Sequence, residues 1–157
     1  MNNVIFIDYH KCVGCGTCEM ICSMVHEGIC SSLLSRIRIV RDQVNGYNVP
    51  ITCALCEKAP CINICPVKAI NKDSGTGAIT IQDSKCIGCR QCVQACPFGH
   101  MNFNFNKGVA FKCDLCEGDP QCVKFCWTNA INYIPVELAI GTKRFEVASR
   151  IVEYENA

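Results

Sequence analysis

No stretch of this chain approaches the run of about 18 apolar residues that a membrane span requires. The segment from Met1 to Asp8 holds a short apolar run, Val4 to Ile7, without a basic flank. It reads as a first strand and not as a secretory signal. Charge is also scarce: 18% of residues are charged and the formal net charge is +1, which leaves no basic footprint for nucleic acid. Missing too are a Walker lysine behind the glycine-containing turn at 74–77, a dinucleotide fingerprint, a flavin motif, and a nucleophile or acid–base pair beyond the cysteines. These absences argue against an enzyme with its own catalytic site and against membrane insertion, and they make a soluble, cytoplasmic chain the expectation.

What the chain has in excess is cysteine, 17 in 157 residues. A disulfide scaffold, a zinc scaffold and an iron–sulfur protein are the three readings, and spacing separates them. Four quartets appear: Cys12, Cys15, Cys18 and Cys22; Cys53, Cys56, Cys61 and Cys65; Cys86, Cys89, Cys92 and Cys96; and Cys113, Cys116, Cys122 and Cys126. Only Cys30 is left over. The first and third follow the bacterial ferredoxin run C-x2-C-x2-C-x3-C, and Pro97 follows the third. Three thiolates on one tight loop can hold three irons of a single cubane, with loop N–H groups offsetting its negative charge. Gly14, Gly16 and Gly88 suit a backbone in close approach. The x3 step puts the fourth cysteine one helical turn past the third, where a ferredoxin-type run ligates the other cluster. Structural zinc usually draws on two separated C-x2-C pairs, and an odd cysteine total fits a closed disulfide framework poorly. The C-x3-C-x2-C run of a radical S-adenosylmethionine enzyme does not occur.

Between quartets the pattern is strand and turn. Residues 36–39 alternate charged and apolar, and Asn45-Gly46 then gives a strong hairpin signal before 47–52. Residues 101–106 alternate, turn at Lys107-Gly108 and return through 109–112, with an apolar side suited to covering a cluster. Residues 69–71 and 78–81 flank the turn at 74–77 as a further hairpin.

With these motifs the chain resembles the four-cluster, ferredoxin-like electron-transfer subunits of molybdenum or tungsten oxidoreductases, formate dehydrogenases, hydrogenase complexes and carbon monoxide dehydrogenase. The resemblance covers about residues 4–134 and rests on Lys11-Cys12-Val13-Gly14-Cys15, on 59–70, on Cys86-Ile87-Gly88-Cys89-Arg90-Gln91-Cys92, and on 112–126. The last segment looks most like the small iron–sulfur subunits of tungsten or molybdenum aldehyde oxidoreductases. The resemblance implies an α+β fold of two intertwined ferredoxin-like units with short helices and β-hairpins. The four-cluster domain would span 1–134, its outer unit about 1–35 and 109–134 and its inner unit about 50–105. It also implies four 4Fe–4S clusters, since all 16 quartet positions are cysteine. One would sit on Cys12, Cys15, Cys18 and Cys126, its neighbour on Cys113, Cys116, Cys122 and Cys22. The inner pair would use Cys53, Cys56, Cys61 and Cys96, and Cys86, Cys89, Cys92 and Cys65. The implied role is an electron wire between a large catalytic subunit, with tungsten or molybdenum, and a flavin-containing subunit or ferredoxin. A hydrogenase, formate dehydrogenase or carbon monoxide dehydrogenase partner, or a free-standing polyferredoxin, are the alternatives. Trp127 departs from the family, standing where proline usually follows the fourth cysteine.

Residues outside the quartets read more plainly. His10, His26 and His100 are not needed as ligands and are expected at the surface or behind the clusters. Cys30, in an apolar setting, is expected to be a small buried residue. Arg36, Arg38 and Arg41 could form a docking patch for an acidic partner, or simply a solvated strand face. In the tail, 135–157, Thr142 can cap a helix whose Phe145, Ala148, Ile151 and Val152 recur at helical spacing. That amphipathic helix would pack on the ferredoxin core or clamp the catalytic subunit.

Overall fold

The computed structural model describes residues 3–155, without the side chains of Glu146, Ser149, Arg150 and 151–155. It is an α+β chain of five helices and eight strands, the strands pairing into four separate antiparallel ribbons. Strand β1 (Asn3–Ile7) pairs with β8 (Ile131–Pro135), from Asn3 opposite Pro135 to Ile7 opposite Ile131. β2 (Arg38–Asp42) and β3 (Tyr47–Ile51) form the hairpin expected around Asn45-Gly46. β4 (Ile70–Lys72) with β5 (Ile79–Ile81), and β6 (Asn102–Asn104) with β7 (Val109–Phe111), are the other two expected hairpins.

Each ribbon is too small to hold a core alone, so the short helices and the cysteines supply the rest. α1 (Thr17–Glu27) packs on α4 (Gln121–Lys124), and α2 (Pro60–Asn63) packs on α3 (Gln91–Ala95). Two sulfur-rich cores result. One joins Cys61 and Cys92 to Ile70, Ile79 and Met101. The other joins Cys18, Cys22 and Cys122 to Ile37, Ile39 and Ile131. A smaller third, Ala78, Cys113 and Leu115 with Cys53 and Leu55 beside it, lies between them in composition, drawing cysteines from both halves of the sequence.

Three arginines on and beside β2 correct the expectation of a patch or a solvated face. Arg36 pairs with Asp114. Arg38 donates to the Leu33 carbonyl at 2.7 Å, and Arg41 donates to Glu19 at 2.7 Å and to the Gly14 carbonyl at 3.3 Å. Glu19, 4% exposed, also accepts the Ile39 N–H at 3.0 Å. A buried carboxylate persists only when paired and hydrogen-bonded, and here it ties β2 to α1 and to the first cysteine loop.

The tail helix α5 spans Val136–Glu155 and follows β8 directly. Thr142 is therefore not its cap; its hydroxyl donates back to the Leu138 carbonyl at 3.0 Å inside the helix. β8 carries the chain to Pro135 and the helix begins at once, seven residues before the start that a cap at Thr142 would give. α5 rests on β1 and β8, forming an apolar groove with Val4, Val136, Ala139 and Ile140, while Phe145 is 75% exposed. Ile151 and Val152 of the expected stripe lie, as side chains, outside the described residues. No helix among the described residues is long and apolar enough to cross a membrane.

Candidate metal centres

The third cysteine of each quartet sits in the first turn of a short helix: Cys18 on α1, Cys61 on α2, Cys92 on α3 and Cys122 on α4. All four are buried. In the first and third quartets the cysteines that precede them lie on loops held tight by glycine. Gly14 and Gly88 take φ of +70° and +69°, and a Cβ would come within 2.5 Å of Asn48 Oδ1 at Gly14 and 2.6 Å of the Gly108 carbonyl oxygen at Gly88. Side chains fit poorly on both counts, because at these glycines the loops press on β3 and on the β6–β7 turn.

Sulfurs from separate quartets meet. One cavity is lined by Cys65, Cys86, Cys89 and Cys92. A second is lined by Cys53, Cys56, Cys61 and Cys96. Cys122 is buried beside Cys113, Cys22, Cys116 and Cys18, and its thiol is pushed up by burial and then by those neighbouring sulfurs. Burial likewise raises Cys18 to about 12, with Glu19, Cys12 and Cys15 adding to it, and Cys92 to about 11, with Cys86 and Cys89 adding to it. Cys12, Cys18 and Cys126 share one core. Thiols crowded out of water in this way do not ionise unaided, and an iron or zinc cation is what makes thiolates of them.

The donors around the sulfurs favour anionic thiolates, the form that ligates a metal or cluster. Backbone N–H groups reach Cys22 from Arg36 at 3.3 Å, Cys53 from Leu55 at 3.5 Å, Cys65 from Ala69 at 3.3 Å and Cys96 from His100 at 3.3 Å. The Cys65 and Cys96 bonds repeat the same four-residue step in the two inner quartets. The Thr52 hydroxyl is buried without an oxygen or nitrogen partner, and the sulfur it faces is that of Cys113, whose thiol it pulls down against the larger effect of burial. N–H and O–H donors of this kind steady a thiolate and tune a cluster's potential. The residues therefore fit iron–sulfur clusters.

His26 brings both of its ring nitrogens to the sulfurs. Its Nε2 lies 3.2 Å from Asp114 Oδ1 and 3.9 Å from Cys116 Sγ, and its Nδ1 lies 2.8 Å from the Cys22 carbonyl oxygen and 3.9 Å from Cys22 Sγ. Hydrogen bonds to Asp114, then to Cys116 and Cys22, raise its pKa to about 12. Asp114 is held well below the usual carboxylate range: burial opposes this, but His26, Arg36 and the Cys116 N–H outweigh it. Nothing in the sequence around His26 revealed this role, because its partner lies 88 residues on. His10 is exposed, and His100 stacks on Phe98, its pKa lowered by burial and then by Lys112.

Cys30 is exposed, not buried. α1 ends at Gly28, and the apolar context that suggested a core position leads into a surface segment pinned by Ser31 N–H donating to Ser23 Oγ at 2.9 Å. Replacing Cys30 by serine is expected to leave iron content unchanged; loss of a cluster on colorimetric iron assay would make Cys30 a ligand. Trp127 keeps the turn that proline would make elsewhere, Asn129 N–H bonding the Cys126 carbonyl at 3.0 Å. Its 70% exposed ring stands beside Cys15, whose thiol is lowered first by Thr17 and also by the indole.

The 4Fe–4S dicluster domain model matches residues 44–135, and a 4Fe–4S binding domain model matches 9–25. The polyferredoxin-like subunit of an aliphatic sulfonate oxidoreductase from Pyrococcus furiosus is 45% identical over 122 residues, covering 78% of this chain and 70% of that protein. Electron transport protein HydN of Escherichia coli strain K12 is 37% identical over 158 residues, covering 83% and 87%. Among solved structures, a chain of the active site complex BamBC of benzoyl coenzyme A reductase is similar over 97% of both chains, with 28% identity and a TM-score of 0.51.

Proposed function

This chain belongs to the 4Fe–4S dicluster family of ferredoxin-like iron–sulfur electron-transfer subunits, and on that premise we propose that it wires a large catalytic oxidoreductase subunit to a redox partner. The observation that carries the reading is that cysteines of different quartets share cavities and cores: Cys65 with Cys86, Cys89 and Cys92, Cys96 with Cys53, Cys56 and Cys61, and Cys22 and Cys18 with Cys122 and Cys126. The proposed ligands are Cys12, Cys15, Cys18 and Cys126; Cys113, Cys116, Cys122 and Cys22; Cys53, Cys56, Cys61 and Cys96; and Cys86, Cys89, Cys92 and Cys65. The clusters, when bound, supply one-electron chemistry. The chain's own residues hold the thiolates, donate N–H bonds to them and keep water from the buried ones.

Among the 16 only Cys15 and Cys89 are exposed, and they fall in different proposed ligand sets. Each gives a partner a short path to sulfur, so the wire has two ports, as a subunit placed between two proteins needs. The catalytic partner is proposed to be of the tungsten or molybdenum aldehyde oxidoreductase type, with a flavin-containing subunit or ferredoxin at the second port. Residues 112–126 and the relative named as an oxidoreductase's polyferredoxin-like subunit support this choice. Anaerobic purification through a tag on this chain is expected to bring down a stoichiometric large subunit containing tungsten or molybdenum. Recovery of the chain alone, fully loaded with iron and reducible by several enzymes, would instead favour a free polyferredoxin.

We propose further that α5 is the docking tail. It keeps Leu138, Ile140, Phe145 and Val147 between 46% and 75% exposed, and apolar side chains on a terminal helix favour burial in a partner. Deleting 136–157 removes no cysteine. Iron content should stay near full while recovery of the large subunit falls severalfold; undiminished co-purification with loss of clusters would return the helix to the core.

A further inference from the structure

Lysine is almost never fully buried unless a counter-charge accompanies it, yet Lys112 is 3% exposed. Strand β7 carries it inward, between the buried Phe111 and Cys113. Its Nζ donates to the carbonyl oxygens of Ile79 and Cys113, each at 2.7 Å. Among the described residues no carboxylate forms an ion pair with it. Asp114 lines a cavity beside Lys112, but its carboxylate is taken by Arg36 and His26.

On its other side Lys112 faces cysteines. Lys112 lines the same cavity as Cys53, Cys56, Cys61 and Cys96, and it holds the carbonyl of Cys113, which belongs to the outer half. An ammonium has three N–H donors, and two are spent on carbonyls, leaving one for the chamber. Its charge pulls the Cys61 and Cys113 thiols down, though burial, the larger effect in each, pushes them up.

We propose that Lys112 is a positioning residue for the electron: its fixed charge, at the crossing between outer and inner cysteine sets, raises the reduction potential of the cluster on Cys53, Cys56, Cys61 and Cys96. The inference rests on the ligand sets proposed above. One-electron reduction of a cluster adds one negative charge to an already anionic group and breaks or forms no bond; the electron arrives from one neighbouring cluster and leaves to the next. A nearby cation away from water favours the reduced form, and net charge is among the properties that set cluster potentials. The charge thereby favours the electron's step onto this cluster and disfavours its step off it.

The test is a redox titration, followed by electron paramagnetic resonance, of the full chain loaded anaerobically. Lys112→Gln keeps a donor for the carbonyls and removes the charge; Lys112→Arg keeps the charge. At full iron content, Lys112→Gln should weaken reduction of one centre at least tenfold, which is 59 mV for a one-electron couple, and Lys112→Arg should restore it. The centre that moves should be the one abolished by Cys61→Ala. Unchanged potentials in fully loaded Lys112→Gln would overturn the proposal. So would loss of about a quarter of the iron in both Lys112 variants, which would make the residue a structural pin. The ligand sets fail separately: Cys61→Ala and Cys96→Ala would then abolish different centres, and the proposal would fall with them.

Discussion

Cys126→Ala is expected to abolish or convert the same paramagnetic centre as Cys12→Ala and to leave intact the one that Cys113→Ala removes. Wild-type protein should take up about 16 iron and 16 sulfide, four of each per cubane, and each variant should lose about one to four iron. The expectation follows from how the fold folds back on itself. Pairing of β1 with β8 returns the chain's end to its beginning, and α4 lies against α1. Cys126 thereby joins the core that holds Cys12 and Cys18, while Cys22 comes beside Cys122. On the proposed ligand sets, each of the two outer centres would borrow one thiolate from a segment about 100 residues away. Local ligation would instead have Cys126→Ala and Cys113→Ala strike one centre, and resonance spectra of the three variants separate the outcomes.

Much of the architecture was legible because its signals are short-range. Cysteine spacing of two and three residues marks where a loop turns into a helix, and the helices begin at the third cysteine of each quartet. The alternation at 101–106 and the Asn45-Gly46 pair likewise mark hairpins in which both strands lie within a dozen residues of one another. What escaped depends on distant partners. β8 carries the strand-favouring Ile131, Tyr133 and Ile134, but its partner β1 lies more than 120 residues away. Arg36 looks like a surface residue until Asp114, 78 residues on, folds against it. Cys30 sits among apolar neighbours, but neighbours in sequence do not decide which way a chain leaves a helix. Lys112 carries no sequence signal beyond standing next to a cysteine, since its burial is set by the carbonyl of Ile79 on another hairpin.

Asp114→Ala is the other substitution with a large expected effect, this time on stability. The carboxylate accepts from His26 Nε2 at 3.2 Å, from the Cys116 N–H at 3.0 Å and from Arg36. The side chains are largely out of water: His26 is 10% exposed, Arg36 19% and Asp114 24%. Removing the acceptor would take from Arg36 its counter-charge and from His26 the bond that does most to hold its proton, with the Arg36 Nε already buried and without a partner. Breaking a buried pair from one side costs about 3 kcal/mol, a large share of the roughly 5–15 kcal/mol that holds a typical protein folded. For a chain of this length that is a fall in thermal midpoint of roughly 6–12 °C. Asp114→Asn keeps an oxygen for the Cys116 N–H and should recover part of the loss, which separates hydrogen bonding from charge. Loaded Asp114→Ala protein that melts within about 2 °C of wild type at the same scan rate would show that Arg36 and His26 are satisfied elsewhere, and that the pairing of α1 and β2 with the fourth cysteine loop does not rest on this carboxylate.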